Sequence, residues 1–256
     1  MNGDGGCRLQ VCGPLNACLH GVDVTGRIPA GQARVLFVYL VVHRETEHSR
    51  SHLVEALWPG VPPEHAERDV TSLLSRLRAV TGVDVLPPGP IVRCVLPTTA
   101  EVDLEVAQAS IERAERAVAV VDWSTAWAAG RSAMAIARRG FLPEVAAPWA
   151  DRERERLRDV LLRAYDAVGE AGLGFGGPDV LTTRQLAAEI IAEEPWRESG
   201  YRLAMRAAMA HGDDAEAVQV YARLRQRLAD ELGVDPGPQS RALFEQLLAG
   251  TPTDRS

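Results

Sequence analysis

Residues 68–80, RDVTSLLSRLRAV, combine two kinds of side chain at helical spacing. An α-helix turns about 100° per residue, and on that wheel the leucines and valines fill one arc of about 120°. The rest of the wheel carries arginine and hydroxyl side chains: Arg68, Thr71, Ser72, Ser75, Arg76 and Arg78. Such side chains donate hydrogen bonds to phosphate oxygens and to base edges, above all to guanine. The segment therefore predicts a helix that is buried on one face and able to contact nucleic acid on the other.

The basic residues limit the chemistry of the chain, because all 28 are arginine and none is lysine. This excludes a P-loop lysine, a Schiff-base lysine and a Ser-x-x-Lys nucleophile pair. Charge is also uneven: residues 1–98 carry nine arginines and nine acidic residues, whereas residues 99–256 carry 19 and 26. The second region, with a net charge of −7, is expected to repel nucleic acid, and the first is not.

Histidine and cysteine residues give no metal or catalytic pattern. His43, His48 and His52 lie near one another, but HRETEH differs from the HExxH zinc motif. The four cysteines form no Cys-x-x-Cys pair and are expected to be buried thiols. We therefore predict no enzyme, no catalytic residue, no metal and no cofactor. His52 and Arg50, at the start of a predicted helix, are candidates for phosphate contacts.

The elements before the arginine-bearing helix predict a small α+β region. Residues 8–28 alternate apolar and polar side chains, as expected of two or three short strands. A helix is expected over residues 31–45, and Ser51 can cap a short second helix that a Pro-Gly pair ends. No apolar run reaches the length of a membrane helix, and the N-terminus lacks a secretory pattern, so a cytoplasmic protein is expected.

The arginine-bearing helix is expected from about Glu64 to Gly82, where the glycine favours a helix end. The next string, VDVLPPGPIVRCVLP, predicts two strands joined by a Pro/Gly tip, with Arg93 on the second strand. A third helix followed by such a hairpin, or wing, can enter the major groove while the wing reaches the backbone or minor groove.

From about residue 99 the pattern is almost wholly helical. Residues 170–183, EAGLGFGGPDVLTT, are rich in glycine and predict a linker between helices. Two acidic-Pro pairs, Glu194-Pro195 and Asp235-Pro236, close helices about 40 residues apart, somewhat more than the roughly 34 of tetratricopeptide repeats. Asp213 or Asp214 is the expected N-cap between them. Stacked helix pairs of this kind present surfaces to other proteins.

Several strings resemble the SARP (Streptomyces antibiotic regulatory protein) family of actinobacterial activators. GQARVLFVYLVVHRETEHSRSHLVEALWPG, followed by SRLRAV, is similar to the OmpR-type winged-helix output domain of response regulators. FLPEVAAPWADRERERLRDVLLRAYDA, YARLRQRLADELGVDPGP and RALFEQLL resemble the family's bacterial transcriptional activation domain. The resemblance covers residues 8 to about 249.

The resemblance implies a mainly α fold with a small N-terminal α+β part. A winged helix-turn-helix domain, residues 1–98, would be followed by an all-α tetratricopeptide-like domain, residues 99–256. It implies a sequence-specific activator whose third helix, residues 64–81, reads double-stranded DNA beside a wing at residues 84–96. Two protomers would associate on promoter direct repeats and recruit RNA polymerase to secondary-metabolite genes, such as those of antibiotic biosynthesis.

A second hypothesis stays open. The third helix begins with the acidic string EHAERD, and Thr71 stands where many relatives carry a basic or amide side chain. The wing tip, PPGP, is also stiff. These features suit a tetratricopeptide-like interaction scaffold whose winged domain is degenerate and does not bind DNA.

Overall fold

The computed structural model describes residues 6–177 and 179–250. Internal contacts divide the chain into two compact units, of which unit 1 is Met1–Gln108 with Ala135–Asp159, and unit 2 is Ala109–Met134 with Val160–Ser256. Unit 1 thus contains more than the N-terminal region expected from the sequence, because residues 135–159 pack with it. The domain boundary at residue 98 stays a prediction.

Unit 1 contains a four-stranded sheet with the order β3-β2-β1-β4. Its strands are β1 (Arg8–Gln10), β2 (Asn16–Leu19), β3 (Val22–Asp23) and β4 (Glu101–Val102). The antiparallel β1, β2 and β3 confirm the expected strands of residues 8–28. The parallel partner of β1, β4, was not predicted, since a two-residue strand gives no readable alternation.

Three helices follow the first strands: α1 (Gln32–Val42), α2 (Arg50–Leu57) and α3 (Ala66–Thr81). Every residue of α1 from Leu36 to Val41 is buried, so this helix is the centre of the unit. The buried face of α3 is the leucine and valine face predicted from its spacing: Val70, Leu73, Leu74 and Leu77. Gly82 ends α3 with a φ of 93°, a conformation that favours glycine.

The N-cap of α2 is Ser49, so the prediction of Ser51 is wrong. The Ser49 hydroxyl accepts a hydrogen bond from the backbone N–H of His52 at 3.1 Å. Just before it, the backbone N–H groups of His48 and Val92 each donate to the other's carbonyl at 2.8 Å. This bridge holds His48 extended, so the helix begins immediately after it and Ser51 falls within the first turn.

The predicted two-stranded wing hairpin is wrong in its local structure. Between Val83 and Leu96 no regular strand forms, and the pairings are Val92 with His48 and the Val95 N–H with the Val85 carbonyl at 2.8 Å. Proline supplies no backbone N–H, and three prolines interrupt residues 86–90, LPPGP. A continuous ladder cannot form there. We keep the name wing loop for residues 83–96.

The remaining helices confirm a mainly helical fold after the winged part. They are α4 (Asp103–Ala119), α5 (Trp123–Ala137), α6 (Pro148–Phe175), α7 (Asp179–Glu193), α8 (Glu198–His211), α9 (Asp214–Leu232) and α10 (Pro238–Gly250). Asp213 is the N-cap of α9, and its carboxylate accepts from the Glu216 N–H at 2.9 Å. No helix in the described part of the chain is long and apolar enough to span a membrane.

Most of the glycine-rich string predicted as a linker is helical, because α6 continues to Phe175. A Cβ added at Gly169 would lie 2.4 Å from Leu203, one at Gly172 would lie 2.5 Å from Thr183, and one at Gly174 would lie 2.4 Å from Trp123. These glycines serve close packing rather than a turn. The gain from packing outweighs their low helix propensity of about 1 kcal/mol each.

Candidate nucleic-acid interface

Five of the predicted contact residues lie together on the exposed face of α3: Arg68, Thr71, Ser72, Ser75 and Arg76. We call this set the α3 stripe. The Thr71 hydroxyl donates to the Glu67 carbonyl at 2.8 Å, one turn earlier in the helix. Arg68 and Arg76 form no hydrogen bond or ion pair with the described residues. Their guanidinium groups are therefore available to an external ligand.

Ala79 also lies on this exposed face, and the prediction from residue type omitted it. At 100° per residue it falls about 20° from Arg68, near the middle of the stripe. An alanine methyl group there can contact the methyl group of thymine in a major groove. The helical spacing alone was sufficient to find it, but only arginine and hydroxyl side chains were counted as candidates on this face.

Arg78 points away from the stripe, towards the wing loop. Its Nε donates to the Leu86 carbonyl at 2.8 Å, and a terminal nitrogen donates to the Pro87 carbonyl at 3.2 Å. The side chain is half-buried, and burial, with a smaller effect of nearby Arg50, lowers the pKa of its guanidinium. Arg78 thus differs from Arg68 and Arg76 in that two of its three guanidinium nitrogens already donate to the wing loop.

Arg50, on the first turn of α2, also contacts the wing loop. Its two terminal nitrogens donate to the carbonyls of Pro90 and Gly89, each at 3.0 Å. Its neighbour His52 is exposed, but its Nε2 lies 3.0 Å from the Tyr39 hydroxyl. Both predicted phosphate contacts on α2 therefore have partners within the protein.

Arg93 is exposed on the wing loop, and one guanidinium nitrogen lies 3.9 Å from a Glu47 carboxylate oxygen. An ion pair at that distance on a surface is weak, so Arg93 remains a candidate for DNA. Glu64 and Glu67 are exposed at the start of α3. Their negative charges interact favourably with the helix dipole, but they also lower the positive electrostatic potential at the N-terminus of α3.

The three clustered histidines belong to an aromatic group around Tyr39. Its ring lies 4.3 Å from that of His43, 5.2 Å from that of His48 and 5.1 Å from that of Trp149. Burial lowers the pKa of His48, which favours its neutral form. Among residues 6–177 and 179–250, no three acidic, histidine or cysteine side chains are arranged to hold a metal ion. The group therefore packs α1 against α2.

A family model for the bacterial transcriptional activator domain matches residues 102–248. The chain is 30% identical over 241 residues to the regulatory protein AfsR of Streptomyces griseus. The aligned region covers 94% of this chain and 24% of AfsR. It is 29% identical to the transcriptional regulatory protein MoaR1 of Mycobacterium tuberculosis, covering 98% of this chain and 82% of MoaR1. The chain thus spans about a quarter of the AfsR proteins that it matches.

The fold is also similar to a solved structure. Mycobacterium tuberculosis EmbR, in complex with a low-affinity phosphopeptide, superposes with a TM-score of 0.78 at 25% sequence identity. The match covers 97% of this chain and 66% of the EmbR chain. The similarity therefore includes the winged region and the helices that follow it.

Proposed function

This chain belongs to the family of the bacterial transcriptional activator domain, as a transcriptional regulator of the SARP type, and from that premise we propose that it binds promoter DNA through α3. The observation that carries the proposal is the α3 stripe. Its arginines are exposed and unpaired among the described residues, while the opposite face of the helix is buried in the core.

In this proposal α3 lies in the major groove. Arg68 and Arg76 read guanine or hold phosphate, and the hydroxyls of Thr71, Ser72 and Ser75 supply further contacts. Arg93 extends the positive surface to the adjacent backbone. Arg50, Arg78 and His52 contribute less than expected from the sequence, because two nitrogens of each arginine and Nε2 of His52 are engaged within the protein.

The helical region supplies the activating surface. It carries the excess of acidic residues, which disfavours DNA contact and suits a protein partner. We propose that two protomers occupy direct repeats about 10–11 bp apart, so that both face the same side of the duplex, and that they recruit RNA polymerase. The resemblance to antibiotic regulators makes secondary-metabolite genes the expected targets.

A mobility-shift titration of the full chain tests the DNA-binding step. R76A is expected to weaken binding by about 1–3 kcal/mol if Arg76 reads a base, or to reduce the salt slope by about one if it holds a phosphate. The matched control is R152A, because Arg152 is also an exposed arginine of unit 1 but lies on α6. Equal affinity of R76A, R152A and the parent for every duplex would contradict the assignment.

The distance between the direct repeats and the promoter tests whether the protein recruits RNA polymerase. An insertion of about 5 bp between the repeats and the promoter turns the protomers to the opposite face, and about 10 bp restores the face. Transcription in vitro is expected to fall with the shorter insertion and partly recover with the longer one. Activation that ignores both insertions would favour displacement of a repressor.

The interaction-scaffold hypothesis has two observations in its favour. Acidic side chains lie at the start of α3, and both Arg50 on α2 and Arg78 on α3 donate hydrogen bonds to the wing loop. On this hypothesis the full chain binds neither promoter nor random duplex, even at low salt where nonspecific binding is strongest. Retention of promoter DNA at physiological salt would exclude it.

A further inference from the structure

The tip of the wing loop, residues 86–90 with the sequence LPPGP, has an unusual hydrogen-bonding requirement. Pro87, Pro88 and Pro90 provide no backbone N–H, so this segment has carbonyl acceptors but few donors of its own. Strand pairing cannot supply the missing donors, and the structure forms none across the tip. Proline restricts the φ angles of the tip, but donors from elsewhere in the chain are needed to attach its carbonyls to the neighbouring helices.

Two guanidinium groups supply those donors. Arg78 donates to the carbonyls of Leu86 and Pro87, at 2.8 and 3.2 Å, and Arg50 donates to those of Gly89 and Pro90, both at 3.0 Å. Four of the five carbonyls of the tip are therefore bound by arginine. Arg78 comes from α3 and Arg50 from α2. The tip is thus fixed to both helices, and not only to the residues beside it in sequence.

We propose that Arg50 and Arg78 form a clamp that positions the wing loop beside α3 before DNA binds. The inference rests on the proposed function, and it assigns both arginines as positioning residues that act through the loop. A loop held in its bound conformation loses less conformational entropy on association, which strengthens binding without any direct contact. The exposed wing residue that benefits is Arg93.

The atoms involved allow a sharp choice of variants at position 78. In glutamine the amide nitrogen follows three side-chain carbons, as Nε does in arginine. R78Q therefore keeps a neutral donor to the Leu86 carbonyl. Lysine has a methylene group at that place, so R78K loses this donor while it keeps the positive charge. A clamp requires the donor, whereas a phosphate contact requires the charge.

Hydrogen exchange of the full chain without DNA tests the clamp itself. The reporters are the amides of Val92 and Val95, which donate to His48 and Val85 at 2.8 Å. R78A is expected to speed their exchange about tenfold to hundredfold, since it removes two hydrogen bonds from a charged donor. The exchange rates in R78K are expected to be close to those in R78A, whereas those in R78Q are expected to be closer to those of the parent. The control R76A, on the exposed face of the same helix, is expected to leave both amides unchanged.

Affinity for a promoter duplex tests the role in binding. The clamp predicts the order parent, R78Q, R78K, R78A, with about a tenfold loss for R78A. Unchanged exchange in R78A, or an affinity order in which R78K exceeds R78Q, would overturn the inference and favour direct phosphate contact. If the parent itself binds no duplex, the proposed function fails, while the exchange rates still decide whether the clamp exists.

Discussion

Arginine side chains have different partners in the two units. In unit 1, Arg50, Arg78 and Arg154 donate to main-chain carbonyls of irregular loops. In unit 2, arginines pair with carboxylates on neighbouring helices, as in Arg163 with Glu115, Arg184 with Glu216, and Arg206 with Glu170. Unit 1 also has ion pairs, such as Arg44 with Glu105. Arg50, Arg78 and Arg154, however, hold its loops by donating to the loops' own carbonyl groups.

The acceptor decides how each contact responds to solution conditions. A carbonyl is neutral and does not titrate, so a guanidinium bound to it is indifferent to protonation and only weakly sensitive to salt. A carboxylate loses its charge at low pH and is screened by ions. Arginine contacts that hold loops of unit 1 should therefore change little with pH and salt concentration. Arginine contacts between helices of unit 2 should weaken at low pH and at high salt concentration.

The largest effect is expected for R154A. Arg154 donates to the carbonyls of Phe141, Leu142 and Val145 at 3.3, 2.7 and 3.0 Å, and Leu142 has a strained φ of 37°. Loss of these bonds is expected to reduce the unfolding free energy of unit 1 by about 2–4 kcal/mol, measured by exchange of buried α1 amides. R152A, two residues earlier and exposed, is the control, and an equal loss in both would refute the loop role.

The next effect, about 1–3 kcal/mol, is expected for R197A at pH 7, since it leaves the half-buried Asp166 carboxylate with Ser199 alone. Burial raises the pKa of Asp166, and Arg197 lowers it again. A carboxyl group whose pKa is higher in the folded chain than in the unfolded chain is protonated at a higher pH in the folded chain. The free energy of unfolding therefore increases as the pH falls through that pKa. The deficit of R197A should therefore shrink towards pH 4.

Urea unfolding at pH 7 and pH 4 measures that change. R154A provides the contrast, because three of its four acceptors are carbonyls and the fourth is the carboxylate of the exposed Asp151, so most of its deficit should be the same at both values. If R197A is equally destabilised at both, the Asp166 charge does not control this contact.

A smaller effect is expected for R184A. Arg184 donates to both Glu216 oxygens, at 2.7 and 2.6 Å, but about a third of each side chain is exposed. The loss is expected to be about 0.5–1 kcal/mol at low salt and to diminish in 1 M NaCl, where the Debye length is about 3 Å. A loss that persists in high salt would indicate packing rather than charge.

The smallest effect concerns coupling between the two clamp residues. Arg50 and Arg78 hold the same loop, so once one of them is removed, the contacts of the other contribute less to stability. A double-mutant cycle with R50A, R78A and R50A/R78A is expected to give losses that fall short of additivity by about 0.5 kcal/mol. Strict additivity would show that the two arginines hold independent segments.

Periodicity was sufficient to predict α3 and its two faces, because a 3.6-residue repeat directly reports which side is buried. It was insufficient for Arg78, which lies at the edge of the polar arc and turns towards a loop whose path depends on tertiary packing. The N-cap of α2 was missed for a similar reason. Ser49 and Ser51 are both suitable residues, and the choice is made by the distant pairing of His48 with Val92.

The glycines of α6 also show where composition misleads. The glycine-rich string predicted a linker, yet the space beside Gly172 and Gly174 is occupied by Thr183 and Trp123, as the space beside Gly169, just before the string, is by Leu203. Leu203 and Trp123 lie outside the local string, and Thr183, which ends it, comes beside Gly172 only through the packing of α7. Gly169 and Gly172 lie on one side of α6, whereas Gly174 lies about 140° from Gly169, so the glycine spacing in the sequence does not define a single packed face.

Those glycines have a further consequence for the register of α6. Leu203 lies where a Cβ on Gly169 would come within 2.4 Å. If α6 slid by one residue in either direction, Val168 or Glu170 would meet Leu203 instead, and its side chain would not fit. Slips of one residue are thus excluded by volume alone, without any polar contact. The register of α6 against α8 therefore resists a one-residue slip even at low pH, where the ion pair of Arg206 with Glu170 between these helices is lost.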